Sequence, residues 1–383
     1  MSSTTLVSST LSSNPFIRVY PFGRILSEKF DTKIIGPVNS NGIYKPLKNE
    51  KWNIQCVNEK KFFPFYLKTF YELCKNVDSD IVHVFKPKVY SFGVGLLLKL
   101  LKNKKIILDI DDWESQYVYD NYFSYNPIDL FKFSFVDFYM PESYFSKKLL
   151  EKLRNYSDRI IVDALCLQKK FGGTYIPSGA DTDLFDPEKY NPKIIREKYS
   201  IEKDDILISF IGTPRKHKGI LELIKAFEET RKENENIKLM IVGASNDNIF
   251  ANELRKKEGI IVENYRPHDK IPYYIAAADI IAAPLKNNPS AMMQMPYKIY
   301  EMMSMGKAII ATGVADIPVV LNNCGRVIEP NNLEQLKMAI LEYSNNKRLR
   351  TRDGDNAREK CIKEYSFNVI RKKIFEVYDN IMC

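Results

Sequence analysis

Between residues 205 and 345, short apolar runs alternate with segments of helical apolar spacing, and this rhythm constrains the fold more than any other feature. "DILISFIG", "IKLMIVG", "GIIVEN", "DIIAAPL", "KAIIAT" and "GRVIEP" read as strands. "ILELIKAFEETRKE", "KIPYYIAAA", "PYKIYEMMSM", "DIPVVL" and "NLEQLKMAILEY" read as the helices between them. Strands that are apolar throughout must be covered on both faces, so the alternation predicts a parallel sheet wrapped by helices. The first half keeps the rhythm with longer interruptions. Its strand candidates are "TTLVSS", "TKIIGP", "DIVHVF", "KKIILDI", "DRIIV" and "GTYIPS", with helices near 17–30, 62–76, 90–101 and 142–155. "SGADTDLFDPEKYNPK" is rich in turn formers and reads as the linker, and "SFNVIRKKIFEVYDNIMC" as one closing amphipathic helix. A chain of 383 residues exceeds one ordinary core. The expected fold class is therefore α/β, with two doubly wound Rossmann-like lobes facing a central cleft and ligands at the strand C-terminal ends.

Composition narrows the function classes. Lys and Arg exceed Asp and Glu by 57 to 48, a net charge of +9 that favours anionic partners such as nucleotide phosphates, anionic lipid or nucleic acid. No Lys/Arg tract or basic-aromatic stripe reads as a nucleic-acid module, so nucleic acid is not an expected partner. The six cysteines are scattered with no C-x-x-C pair, which fits reduced thiols and a cytoplasmic location and excludes a zinc ribbon. "MSSTTLVSSTLSSNPF" lacks the basic start and apolar stretch of a secretory signal, and no run approaches a membrane span.

The ordered series "DIVHVFKP", "KKIILDIDDWE", "SDRIIVDALCLQKKFGGTYIPSGADTDLF", "FIGTPRKHKGILELIKAF", "KLMIVG", "YYIAAADIIAAPL" and "PYKIYEMMSMGKAIIAT" resembles the retaining glycosyltransferases of family 4, glycosyl transferases group 1, which have the two-lobed GT-B fold. The likeness is strongest over residues 157–340. It implies an acceptor-binding lobe at 1–180, with helix 366–383 packing back on it, and a nucleotide-sugar-binding lobe at 181–365. It also implies transfer of a sugar from a nucleoside diphosphate, UDP by preference, to a glycan or polyprenyl-lipid-linked acceptor with retention of configuration. No metal and no cofactor beyond the nucleotide-sugar substrate is expected. The alternatives are a catalytically degenerate nucleotide- or sugar-binding member and a UDP-sugar epimerase of the same fold.

In the second lobe Gly212 ends a strand and "TPRKHKG" leads into a helix. Glycine lets backbone approach a phosphate, and Arg215 and Lys218 supply charge to a leaving diphosphate, with Lys216 and His217 able to share the task. A solvated basic loop is the plain alternative. Pro296 suits a first helical turn, so the amides of Tyr297, Lys298 and Ile299 could face a phosphate. Glu301 could accept the ribose hydroxyls, matching the second glutamate of the family's Glu–seven residues–Glu pattern. Met293 stands at the first glutamate's place, and Lys298 fits a "P-x-K-x-x-E" form of the helix. The surrounding methionines read as core packing. Arg266 in "ENYRPHDKIP" stands where the family holds the base, and Gly243 permits close backbone approach; either also reads as a plain turn.

In the first lobe, "STLSSNPFIR" replaces the family's Gly-rich loop, and Asn14 and Arg18 are candidates for phosphate or acceptor, a helix cap being the alternative. "LDIDDWE" puts Asp109, Asp111 and Asp112 at a strand end. Asp111 or Asp112 could touch the sugar or act as base, and they equally could cap a helix or pair with lysines. His83 near a strand end is an acceptor-side candidate or a satisfied core histidine. The assigned catalytic group is Asp111, Asp112 and Lys218, with no enzyme nucleophile. Residues 113–145 are crowded with Tyr and Phe and followed by Lys147, Lys148 and Lys152, which fits peripheral attachment to a membrane surface.

Overall fold

The computed structural model describes residues 3–47, 52–122, 140–215, 218–245, 249–287, 289 and 291–382. The chain divides into one unit of Met1–Ser178, Asn288–Gln294 and Ile370–Cys383, and a second of Gly179–Asn287 and Met295–Val369.

The first unit is built on a seven-stranded sheet. Its strands are β1 (Ser3–Val7), β2 (Asp31–Val38), β3 (Asn53–Asn58), β4 (Ile81–Phe85), β5 (Lys105–Ile110), β6 (Arg159–Val162) and β7 (Thr174–Tyr175). They lie in the order β3-β2-β1-β4-β5-β6-β7, every pair parallel. β1, β4 and β5 are buried almost throughout, as strands covered on both faces must be. β3, "NIQCVN", was not among the expected strands. It is an edge strand with one buried residue, so it carries no apolar run to announce it.

The second unit repeats the plan with β8 (Ile206–Ile211), β9 (Ile237–Ala244), β10 (Ile260–Asn264), β11 (Ile280–Ala283), β12 (Ala308–Thr312) and β13 (Arg326–Ile328). The order is β10-β9-β8-β11-β12-β13, again parallel. Each sheet reverses direction beside its first strand, between β1 and β4 and between β8 and β11. Doubly wound sheets leave a crevice at this point, outside the strand C-termini. The core of the second unit gathers Ile208, Leu239, Ile280 and Ile310 from the strands with Phe227 of helix Ile220–Glu233 and Tyr343 of helix Leu333–Asn345.

The closing helix, Phe367–Met382, places Ile374, Tyr378 and Ile381 in the core. Tyr378 Oη lies 2.9 Å from His83 Nδ1 and 3.4 Å from Thr4 Oγ1, which ties this helix to β4 and β1. Among the described residues, no helix is long and apolar enough to cross a membrane.

Candidate functional site

The reversal point of the second sheet is where cationic groups gather. Gly212 follows β8 with φ +137°, and Gly243 in β9 has φ +115°, both in the left-handed region that favours glycine. A Cβ at Gly243 would fall 2.8 Å from the Gly212 carbonyl carbon, so the two backbones are in direct contact. A Cβ at Gly212 would collide with Lys298 Nζ and lie 3.9 Å from Lys218 Nζ. Two ammonium groups therefore converge over one glycine. Lys298 Nζ donates to Ile211 O at 2.8 Å, and among the described residues neither lysine has a carboxylate partner within ion-pair distance. Burial pushes Lys218 down to about 8, with Arg215 adding to the fall. Burial likewise pushes Lys298 down to about 7, Lys218 reinforcing and Glu301 opposing. Two amines in mutual repulsion beside a strand terminus are poised to take up an anion. Arg215 is exposed at the rim of this loop, and Lys218 N donates to its carbonyl at 2.9 Å. Lys216 and His217 lie outside the described residues.

Helix Lys298–Ser304 carries Glu301, which is only 3% exposed. Its Oε1 lies 2.5 Å from Nε2 of His268, in the 3-10 turn His268–Lys270 after β10. The imidazole is flanked by the rings of Phe185, 5.3 Å away, and Tyr297, 6.4 Å away. His268 holds one carboxylate oxygen and so orients the other, a role the sequence reading missed. The available signal was modest: one of three histidines, in a loop at a strand C-terminal end. The backbone geometry corrects one expectation. Ile299 N donates to Pro296 O at 3.1 Å, so its amide closes a local turn instead of facing a phosphate. Met302, Met303 and Met305 are buried as core methionines. Met293 is half-buried in a 3-10 turn, Ala291–Met293, that groups with the first unit.

Arg266 pairs with Glu263 at 2.7 Å, and that carboxylate also takes Lys198 at 3.0 Å and the Tyr274 hydroxyl at 3.1 Å. Burial would raise Glu263, yet Lys198 and Arg266 hold it below the usual range. Arg266 is thus fixed in a local network with its side chain partly exposed.

The first unit overturns two candidates. Arg18 does not reach out to phosphate. It is buried, with Nε and Nη2 forked onto Asp109 at 3.1 and 3.0 Å, Nη1 on Ser178 Oγ at 3.0 Å and Nη2 also on Ile176 O at 2.8 Å. His83 is likewise wholly buried, stacked on Phe85 with centroids 4.5 Å apart and bonded to Tyr378. Burial pushes its pKa down, so it is a neutral core histidine. Asn14 is exposed and accepts from the Tyr44 hydroxyl at 2.8 Å instead of capping the helix Phe16–Leu26.

Asp111 and Asp112 enter an ion network centred on Lys86, whose side chain is 2% exposed and whose φ is +74°. Lys86 Nζ contacts Asp112, Asp111 at 2.9 Å and Glu114 at 3.0 Å. Glu114 continues to Lys88 and Lys147, both at 3.3 Å, and those lysines share Glu142 at 2.9 and 3.3 Å. Asp109 faces Arg18 and Asp111 faces Lys86, so the D-x-D pair is divided between two cations. Burial pushes Asp112 up to about 7, with Lys86 opposing and Asp111 and Glu114 adding. A carboxyl titrating near neutrality can exchange a proton with a bound hydroxyl. Lys147 is buried in this network, which corrects its reading as a surface lysine. The aromatic stretch behind the membrane expectation lies largely outside the described residues, at 123–139.

Residues 192–360 match the family model for glycosyl transferases group 1. An uncharacterized glycosyltransferase of Methanocaldococcus jannaschii is 30% identical over 48% of this chain and 47% of its own. The O-antigen chain mannosyltransferase B of Escherichia coli is 28% identical over 52% and 49%. The chain spans about half the length of the curated relatives it matches. Across 99% of this chain and 100% of the other, the fold matches that of Anabaena HepE, solved in complex with UDP, with a TM-score of 0.74 at 15% identity. Two parallel Rossmann-like sheets and this fold match agree: the chain has a GT-B fold, and its residues 192–360 resemble the glycosyl transferases group 1 family.

Proposed function

We propose that the protein moves a sugar from a nucleoside diphosphate, a UDP-sugar by preference, to a glycan or polyprenyl-lipid-linked acceptor, with retention of configuration and without a metal ion. The observation that carries the reading is the pair Lys218 and Lys298 over Gly212, two partly titrated amines with no carboxylate partner among the described residues. A donor diphosphate placed there restores both ammonium charges. As the bond from the anomeric carbon to the β-phosphate oxygen lengthens, negative charge grows on the leaving diphosphate. The two cations then stabilise the transition state more than the ground state. Glu301, oriented by His268, accepts the ribose hydroxyls. Retention follows from attack on the face the nucleotide leaves, with a leaving phosphate oxygen taking the acceptor's proton. Asp112 is the alternative proton acceptor.

The UDP preference is supported by the HepE complex, while the mannosyltransferase name among the relatives keeps GDP-mannose as the competing donor. A membrane-presented acceptor is supported by the exposed Phe62, Phe63, Phe65 and Tyr71, which flank Lys68 on and before helix Tyr66–Lys75. The test incubates the protein with UDP-glucose, UDP-N-acetylglucosamine or GDP-mannose, alone and with lipid-linked glycan acceptors, and follows the products by NMR. Donor consumption that needs acceptor, with the donor's anomeric configuration kept and EDTA without effect, is expected. Epimerised sugar from donor alone would make it an epimerase, and no consumption under any condition would leave a binding protein.

A further inference from the structure

In the first unit, helices Glu114–Tyr122, Tyr144–Lys152 and Leu165–Phe171 line a cavity of about 310 Å³ that none of the roles above uses. Its walls combine aromatic faces with cations, namely Trp113, Tyr144, Lys148, Lys152, Arg154 and Lys170. The cations are organised by rings and carbonyls instead of carboxylates. Lys170 Nζ sits 3.6 Å from the Trp113 ring centroid. Lys148 Nζ donates to the Tyr144 hydroxyl at 2.8 Å. Arg154 is held by Phe171 O and Glu151 O, each at 3.1 Å. Glu151 is the one acid among the described lining residues, and it is already engaged: its two oxygens accept from Ser115 N at 2.9 Å and Ser115 Oγ at 2.7 Å. The contrast with the neighbouring network is chemical. There Lys86, Lys88 and Lys147 all meet carboxylates, whereas around the cavity Lys148, Lys152 and Lys170 are exposed and, among the described residues, meet none within ion-pair distance.

We propose that this cavity binds a phosphate group carried on a sugar or on a lipid headgroup, and so anchors an anionic acceptor. Its role as an acceptor anchor rests on the transferase reading, while the anion site itself rests on the cavity alone. Three lysine ammonium groups and a tyrosine hydroxyl supply charge-assisted donors to phosphate oxygens. The aromatic rings suit the apolar face of a pyranose or a glycerol backbone. The volume, at the small end for ligand pockets, fits a sugar phosphate better than an oligosaccharide. Position gives the site a consequence for transfer. Trp113 stands between Asp112 and Glu114, so an occupant is bound one residue away from the Lys86 network.

The chain has two tryptophans, and Trp113 is the one that lines the cavity. In a Trp52→Phe chain its emission reports occupancy directly. The probes are glucose 1-phosphate, glucose, and phosphatidylcholine vesicles with and without phosphatidic acid. The expected result is a saturable change with glucose 1-phosphate and none with glucose, weakened about tenfold or more by Lys152→Ala with Lys170→Ala. A response to phosphatidic acid vesicles alone supports the same site with a lipid headgroup as the source. No response to either phosphate source, an equal response to glucose, or a response that survives loss of both lysines would overturn the proposal. Lys170→Gln, a single exposed change, provides a second variant should the double one fold poorly. UDP calorimetry on the same proteins separates the failures. A chain that binds UDP but not glucose 1-phosphate or vesicles loses the anion site only, whereas one that fails to bind UDP loses the transferase reading.

Discussion

Lys298 illustrates how a single residue carries both cost and function. Its amine is held down to about 7 by burial and by Lys218, far below the ordinary lysine value near 10.5. The unfolded chain therefore binds more protons than the folded one between pH 7 and about 10.5, and stability rises with pH across that window. Lys298→Met removes the penalty, and we expect a gain on the order of 1 kcal/mol, visible as a higher Tm, with nucleotide binding lost. A variant less stable than the parent would show the amine to be a net structural asset. The same groups set the pH dependence of binding. A diphosphate between Lys218 and Lys298 raises both, so binding takes up protons and affinity falls as pH rises through about 7 to 8 and beyond. Calorimetry with a UDP-sugar, whose diphosphate does not titrate in this range, checks the sign; an affinity flat from pH 6.5 to about 9.5 contradicts it. His268 acts through Glu301. His268→Ala is expected to weaken binding less than Glu301→Ala, which removes the proposed ribose acceptor and costs on the order of 1–3 kcal/mol.

At the scale of elements, what the sequence reveals depends on whether a segment carries its own apolar pattern. β8, β9, β11 and β12 are apolar on both faces and were legible as they stand. β3 was not, because an edge strand with polar residues depends on its partner β2 for identity. Helix Lys347–Lys360 was equally silent: "KRLRTRDGDNAREK" has almost no apolar residue, and it packs by burying Gly354 and Ala357 while Asp353 pairs with Arg326. The site divides in the same way. Gly212 and Lys218 follow from a strand ending in glycine before a basic loop. The burial of Arg18 against Asp109 could not be foreseen, since it joins residues 91 apart in sequence and any exposed arginine would have read identically. That pair gives a prediction for the first sheet. Arg18→Ala leaves Asp109 buried without its main cation, at a cost of about 3–5 kcal/mol. Chemical denaturation measures it, and a loss below about 1 kcal/mol would mean that His83 and water satisfy Asp109 unaided.

For the molecule as a whole, two sheets of the same winding plan carry different chemistry beside their reversal points. After β8 the reversal point holds two lysines over a glycine, without carboxylate partners among the described residues. After β4 it holds Lys86, closed in by Asp111, Asp112 and Glu114. The first arrangement calls for an anion, and the second already contains its counter-charges. The net charge of +9 biases the whole surface toward phosphate-bearing ligands without saying where they bind. Calorimetric titration of the full chain with UDP, GDP and ADP, for wild type, Lys298→Met and Glu301→Ala, tests the central claim most directly. The account predicts selective binding of one nucleotide, UDP first, abolished in Lys298→Met and weakened in Glu301→Ala. Binding of none of the three, or binding untouched by both substitutions, would contradict it.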